Sequence, residues 1–276
     1  MLVWDKSSGK YKGLFAILKK IRKNHYDYVF NLQRFASTGF LTVFSKAKFT
    51  VGFNKNPFSF LFSKKIRHII GTGTRLHEID RNLMLIEHII KTEPVIRLYP
   101  ALQDFESIKQ YKEKPYLCIA PASIWNTKKY PEIKWIEFLN SLPEDIVVYL
   151  IGAMNDTPLC NNIAVKSVKS HVYSLAGRIS LLQTAALLKD AKMNFTNDSA
   201  PLHLASAVNA PVAGIFCSTL PDFGFVPRSE KSFVIETTEN LSCRPCGIHG
   251  LKACPEKHFK CATTIANNQL LYCIDS

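Results

Sequence analysis

The sequence predicts an α/β protein built on a parallel sheet, and three observations carry that prediction. Apolar runs alternate with helical stretches of about ten residues from residue 115 onward, the pattern of βαβ units. The runs are nearly continuous, as in Tyr116-Leu117-Cys118-Ile119-Ala120, so both faces of the sheet are covered. The runs give way to loops rich in small and polar residues, and such strand ends are where parallel sheets bind ligands.

The elements follow in order. Residues 11–22 read as an amphipathic helix, with Leu14, Phe15, Leu18 and Ile21 on one face and Lys12, Lys19, Lys20 and Arg22 on the wet side. A strand is expected over 26–32, a helix over 35–44 and a short strand over 49–53. Residues 54–75 are rich in Phe, Lys and Ser without a clear period and read as loop with short elements. A helix over 79–90 is closed by Pro94. The regular part gives strands at 116–120, 146–151, 172–175, 193–196 and 212–216. Helices are expected between them at 133–142, 158–165, 180–189 and 199–208. Two polar turns at 99–114 mark the domain boundary, giving units 1–105 and 106–276, the second with a Cys-rich tail.

Composition bounds the function. The chain has 276 residues, room for one large domain or two modest ones. A hydrophobic fraction of 47% with 21% charged residues excludes disordered and fibrous classes. Lys and Arg number 35 against 22 Asp and Glu, a net charge of +13 and a sequence pI near 9.3. That balance points to an anionic partner: nucleic acid, phosphorylated sugar or acidic lipid. No apolar run approaches the roughly 18 residues of a membrane span, and the N-terminus lacks a signal-peptide pattern. A cytoplasmic location is expected, where the eight cysteines are thiols or metal ligands rather than disulfides.

Four strand ends carry candidate chemistry. After the strand at 116–120, Ser123, Thr127, Lys128 and Lys129 suit phosphate oxygens, or simply line a solvated loop. After the next, Asp156 lies four residues past Gly152, where a carboxylate holds ribose hydroxyls or caps the following helix. Thr196-Asn197-Asp198-Ser199 opens a helix, with Ser199 at an anion-binding N-terminus and His203 one turn in; a capped helix with a core histidine is the alternative. Cys243, Cys246, Cys254 and Cys261, interleaved with His249 and His258, have zinc-ligand chemistry without a common finger spacing, and read first as reduced packing thiols. No dinucleotide or P-loop glycine motif, G-x-S-x-G elbow or H-E-x-x-H occurs. No nucleic-acid-binding pattern accompanies the basic, aromatic stretch at 54–67, so no nucleic-acid partner is expected.

Taken together, these stretches resemble glycosyltransferase family 9, the ADP-heptose:lipopolysaccharide heptosyltransferases. The likeness is carried by Ala-Pro-Ala-Ser-x-Trp-x-Thr-Lys-x-Tyr-Pro (120–131), Asn-Asp-Ser-Ala-Pro-Leu-His-Leu-Ala (197–205) and Phe-Cys-Ser-Thr-x-Pro (216–221). Leu175-Ala176-Gly177-Arg178-Ile179-Ser180-Leu181 and the cysteine tail fit the same pattern. The resemblance implies a GT-B architecture, two Rossmann-like domains facing a cleft. It implies inverting transfer of heptose from an ADP-sugar donor to the anionic inner core of lipopolysaccharide, with no cofactor. The net charge of +13 and the Lys12, Lys19, Lys20 and Arg22 face add an expected peripheral contact with the inner membrane, with a plain solvated helix face as the alternative. Carried over by motif, Lys128 contacts the donor diphosphate, Asp156 the ribose, and the backbone of Ile179 the adenine. Asp198 and Ser199 hold the phosphate and sugar region, with His203 beside them. Family members open with a strand and a Gly-Asp loop that supplies the general base, and no Gly-Asp pair occurs here. The expectation is therefore a first domain lacking its opening strands, with the base in that missing segment. The alternative is a non-catalytic nucleotide-sugar-binding protein of the same fold.

Overall fold

The structure is a computed structural model that describes residues 2–4, 9–91 and 94–276. The chain divides into two compact units, Met1–Glu93 and Pro94–Ser276. The division lies ahead of the expected boundary at 105/106. The reason is local: the Leu98 N–H bonds to the Ala207 carbonyl at 2.8 Å, which ties this segment to the second unit.

In the first unit, helix α1 (Lys10–Arg22) precedes β1 (Tyr28–Asn31), α2 (Ala36–Val43), β2 (Phe49–Phe53), β3 (Lys64–Ile66) and α3 (Glu78–Leu83). The three strands form a parallel sheet in the order β1-β2-β3. Val51, Phe53, Ile66 and Leu85 form its buried core. Two expectations fail here. The single helix over 79–90 stops at Leu83 and continues as turns, where Leu85, Ile86 and Ile89 donate to carbonyls three residues back. The branched Ile86, Ile89 and Ile90 disfavour continued α-helix. On α1, Leu14, Ile17 and Leu18 are buried, whereas Phe15 is 58% exposed beside the lysines.

The second unit begins with α4 (Leu102–Ser107) and β4 (Tyr116–Ala120). There follow α5 (Glu132–Ser141), β5 (Val147–Leu150), α6 (Thr157–Lys166), β6 (Val172–Ser174), α7 (Leu181–Asp190), β7 (Met193–Asn197), α8 (Ala200–Ala207) and β8 (Val212–Phe216). Beyond the elements read from the sequence lie β9 (Ser232–Glu236), α9 (Lys260–Thr263) and α10 (Asn267–Asp275). All six strands are parallel, in the order β6-β5-β4-β7-β8-β9. This is the doubly wound Rossmann order, with its topological switch between β4 and β7. Alternate residues of β4 feed opposite cores. Leu117 and Ile119 join Trp135, Phe138 and Phe195 on one face; Tyr116, Cys118 and Ala120 join Leu187, Leu202 and Phe216 on the other. Burial on both faces explains the continuous apolar runs. The strand ends are left as the place where polar chemistry collects.

Candidate functional site

The site forms where β4 and β7 diverge. Asn197, the last residue of β7, is fully buried and ties the two strand-end loops together. Its Oδ1 accepts from the Tyr130 N–H at 2.8 Å, and its Nδ2 donates to the Pro121 and Ala122 carbonyls at 2.8 and 3.3 Å. The loop after β4 is thereby folded back so that Lys128 faces Asp198. Lys128 Nζ lies 2.6 Å from Asp198 Oδ2, with the two side chains 14% and 7% exposed. The Thr219 hydroxyl, just past β8, donates to the same oxygen at 2.8 Å. Ser218 donates its hydroxyl to Thr127 Oγ1 at 2.9 Å.

His203 stands on α8 near enough to feel both charges. Burial lowers its pKa below the ordinary histidine value; Asp198 opposes that shift and Lys128 adds to it. Burial thus favours the neutral ring. Ser199 is the N-cap residue of α8 but its side chain caps nothing; its hydroxyl donates to the Asn197 carbonyl at 3.2 Å.

A second group forms at the ends of β5 and β6. Asp156 does not cap α6 with its side chain; Oδ2 accepts the Ala153 N–H at 2.8 Å and so closes a single 3₁₀ turn over 154–156. The Gly177 N–H donates to the Gly152 carbonyl at 3.0 Å, and Thr157 Oγ1 donates to the Ala176 carbonyl at 3.2 Å. Gly177 adopts φ 71°, and a Cβ there would lie 2.8 Å from the Met154 Cα, so only glycine permits this approach. The carboxylate of Asp156 and the half-buried Ile179 thus share one end of the unit, on neighbouring strands. Among the described residues, neither backbone group of Ile179 enters a backbone–backbone hydrogen bond.

Along the C-terminal edge of the sheet the order is Ile179 (after β6), Asp156 (after β5), Lys128 (after β4), Asp198 (after β7) and Thr219 (after β8). At a strand spacing of about 4.8 Å the five strand ends span roughly 19 Å, while the side chains of Lys128, Asp198 and Thr219 converge on one carboxylate oxygen.

The four tail cysteines are free thiols. Cys243 Sγ is 3.9 Å from His258 Nε2. Burial, reinforced by the neighbouring thiols Cys246, Cys254 and Cys243, raises the Cys261 pKa to about 11. Among the described residues no group of three or more His, Cys, Asp or Glu side chains is arranged to hold a metal ion.

The sequence model described as glycosyltransferase family 9 (heptosyltransferase) matches residues 14–250. The chain belongs to glycosyltransferase family 9. Among curated relatives of this family 9 chain, the lipopolysaccharide core heptosyltransferase OpsX of Haemophilus influenzae is 24% identical over 229 residues, 78% of this chain and 64% of that protein. Lipopolysaccharide heptosyltransferase 2 of Escherichia coli is 31% identical over 151 residues, 50% of this chain and 43% of that protein. The chain thus spans less than two thirds of either relative. The solved ADP-heptose lipopolysaccharide heptosyltransferase II of E. coli superposes with a TM-score of 0.75 at 19% identity, covering 96% of this chain and 80% of that one. The E. coli heptosyltransferase WaaC with ADP gives 0.67 at 19% identity, covering 96% and 77%. These likenesses show the GT-B type α/β fold.

Three residues of the candidate site, Asn197, Ser218 and Thr219, have no role that the sequence alone assigns. Ser218 and Thr219 lie in the Phe-Cys-Ser-Thr-x-Pro motif, yet a hydroxyl after a strand has no distinctive spacing. Asn197 lies in the second motif but acts as a buried connector, which no local pattern reports, and Thr127, expected to face phosphate oxygens, instead engages Ser218 and the Leu251 N–H with its hydroxyl.

Proposed function

We propose that the second unit binds an ADP-sugar along its sheet edge and that the protein transfers heptose from ADP-heptose to the inner core of lipopolysaccharide with inversion. The observation that carries this reading is the order of groups along that edge. The free backbone at Ile179, the Asp156 carboxylate and the Lys128 ammonium follow one another as adenine, ribose and diphosphate do in the donor. Family membership supplies the sugar and the acceptor, since the curated relatives are named as lipopolysaccharide heptosyltransferases.

The chemistry follows from charge. As the bond between the sugar and ADP breaks, negative charge grows on the diphosphate. A lysine aimed there stabilises it more in the transition state than in the ground state. The Asp198–Lys128 pair holds the ammonium in place before the donor arrives. Asp198 is committed to Lys128 and Thr219, so it is a poor candidate for the base that takes the acceptor proton. Burial disfavours the cationic form of His203 beside this pair.

The acceptor reading draws on the first unit. Residues 1–93 carry 17 Lys and Arg against 6 Asp and Glu, a net of +11, while residues 94–276 carry 18 against 16. Nearly all the excess charge therefore sits in one unit, where it suits an anionic core sugar and the acidic lipid surface that bears it. No helix among the described residues is long and apolar enough to cross a membrane. A cytoplasmic enzyme in peripheral contact with the inner membrane is the location this reading takes.

The test is calorimetric titration with ADP, together with an assay of heptose transfer to a lipid-linked core acceptor. Lys128→Ala is expected to weaken ADP binding by about 1.5–3 kcal/mol, the worth of one charge-assisted hydrogen bond. Unchanged affinity would remove Lys128 from the site. Binding without transfer would leave a nucleotide-sugar-binding protein and overturn the transferase reading.

A further inference from the structure

The cysteine-rich tail crosses the phosphate end of the site, and its contacts are built rather than incidental. Arg244, 9% exposed in its side chain, donates Nε to the Cys217 carbonyl at 2.7 Å and Nη2 to the Phe216 and Thr219 carbonyls at 3.0 and 2.8 Å. Nη2 also lies 2.7 Å from Glu236 Oε2, at the end of β9. The Cys246 N–H donates to the Ser218 carbonyl at 2.9 Å. Further along, the Leu251 N–H donates to Thr127 Oγ1 at 2.7 Å, and the Thr127 N–H donates back to the Leu251 carbonyl at 3.1 Å. Asn126 Nδ2 adds a bond to the Lys252 carbonyl at 2.9 Å. Between these anchors Gly250, at φ 76°, lies against the site: a Cβ there would sit 2.9 Å from Lys128 Cγ, 3.0 Å from Thr127 Oγ1 and 3.2 Å from Ser218 Oγ.

We infer that residues 244–252 form a strap that positions Lys128 and Thr219 against Asp198, and so sets how tightly the protein grips the phosphates of its nucleotide. The inference rests on the ADP reading above and deepens it. A lysine stem has four rotatable carbons and gives up their freedom whenever its charge is used. Here the glycine backbone of the strap packs along that stem and leaves no room for a side chain. The ammonium is thus confined before any ligand binds, which is preorganisation of an electrostatic site. On the other side Arg244 satisfies three carbonyls at the end of β8, fixing the turn from which the Thr219 hydroxyl reaches Asp198. Thr127 is the hinge between these halves, since its one hydroxyl serves both Ser218 and Leu251. Arg244 and Thr127 act through Lys128 and Thr219 and are positioning residues.

A strap that only stabilised the unit would affect every ligand alike. Among the described residues no hydrogen bond joins residues 243–252 to the loops that hold Asp156 and Ile179. The nucleoside end of the site is therefore independent of the strap, and the ratio of ADP to adenosine affinity isolates its effect. Two variants serve. Gly250→Ala pushes on the lysine stem. Thr127→Val is nearly isosteric and deletes the hinge hydroxyl. Titrations of the full chain with ADP and with adenosine are expected to show ADP affinity falling about tenfold in each variant, near 1.4 kcal/mol. Adenosine affinity is expected to stay within about twofold of the parent. Equal losses for both ligands, or no loss of ADP affinity, would overturn the strap while leaving the ADP reading intact. A parent protein that does not bind ADP would overturn both.

Discussion

His203 shows how a single side chain reports on the site. Its pKa lies below the ordinary value because burial disfavours the imidazolium more than Asp198 favours it. The unfolded chain therefore binds more protons than the folded one as pH falls toward and below the ordinary histidine value. Stability rises with pH across that window and is lost on acidification. Thermal unfolding at pH 7.5 and at pH 5.5 checks this. The parent should lose more stability between the two than His203→Gln does, because the variant has no ring to protonate. Identical losses would place the acid sensitivity elsewhere. Asp156 teaches a related lesson. Sequence left ribose ligand and helix cap open; the structure gives the carboxylate a third job, closing a 3₁₀ turn through the Ala153 N–H. That bond engages Oδ2 and orients the side chain, compatible with either hydroxyl recognition or none, so the spacing alone could not decide.

At the scale of elements, legibility followed burial. Strands β4, β5, β7 and β8 of the second unit are legible in the sequence because both faces are covered and every residue in them is buried. Strand β3 was not, because Lys64 and Lys65 break its apolar character. They sit at the edge of the three-stranded sheet, where lysine guards against further pairing. Likewise β9 is an edge strand with Val234 exposed, and its Ser-Phe-Val-Ile-Glu run carries too weak a pattern to read. The candidate site divides the same way. Charged residues at strand ends were found, whereas the buried polar connectors were not, since their partners come from distant loops. Asn197 is the clearest of these. Replacing it with Leu keeps the volume but leaves the Pro121 carbonyl and the Tyr130 N–H without partners inside the unit. A buried group left unsatisfied costs about 1–3 kcal/mol, so a loss on the order of 3 kcal/mol is expected in urea unfolding. A loss below about 1 kcal/mol would mean that the loops hold their shape without it.

For the whole molecule, the division of charge is the property with the widest reach. Net charge of +11 in residues 1–93 against +2 in residues 94–276 is a difference no single motif reveals. On α1, the exposed Tyr11 and Phe15 lie on the solvent side with Lys19 and Arg22, an arrangement suited to a lipid surface. Flotation with vesicles should recover the protein with anionic lipid at low salt and release it as salt rises, whereas neutral vesicles should leave it behind. Equal recovery from both would separate the charge from the membrane. The central claim concerns the other unit, that one nucleotide lies along the ends of its parallel strands. A crystal structure with ADP tests it most directly. The account predicts adenine against the backbone of Ile179, ribose hydroxyls at Asp156 and the diphosphate at Lys128, in that order along the sheet edge. ADP bound in the reverse sense, or away from the ends of β4, β5 and β6, would contradict it.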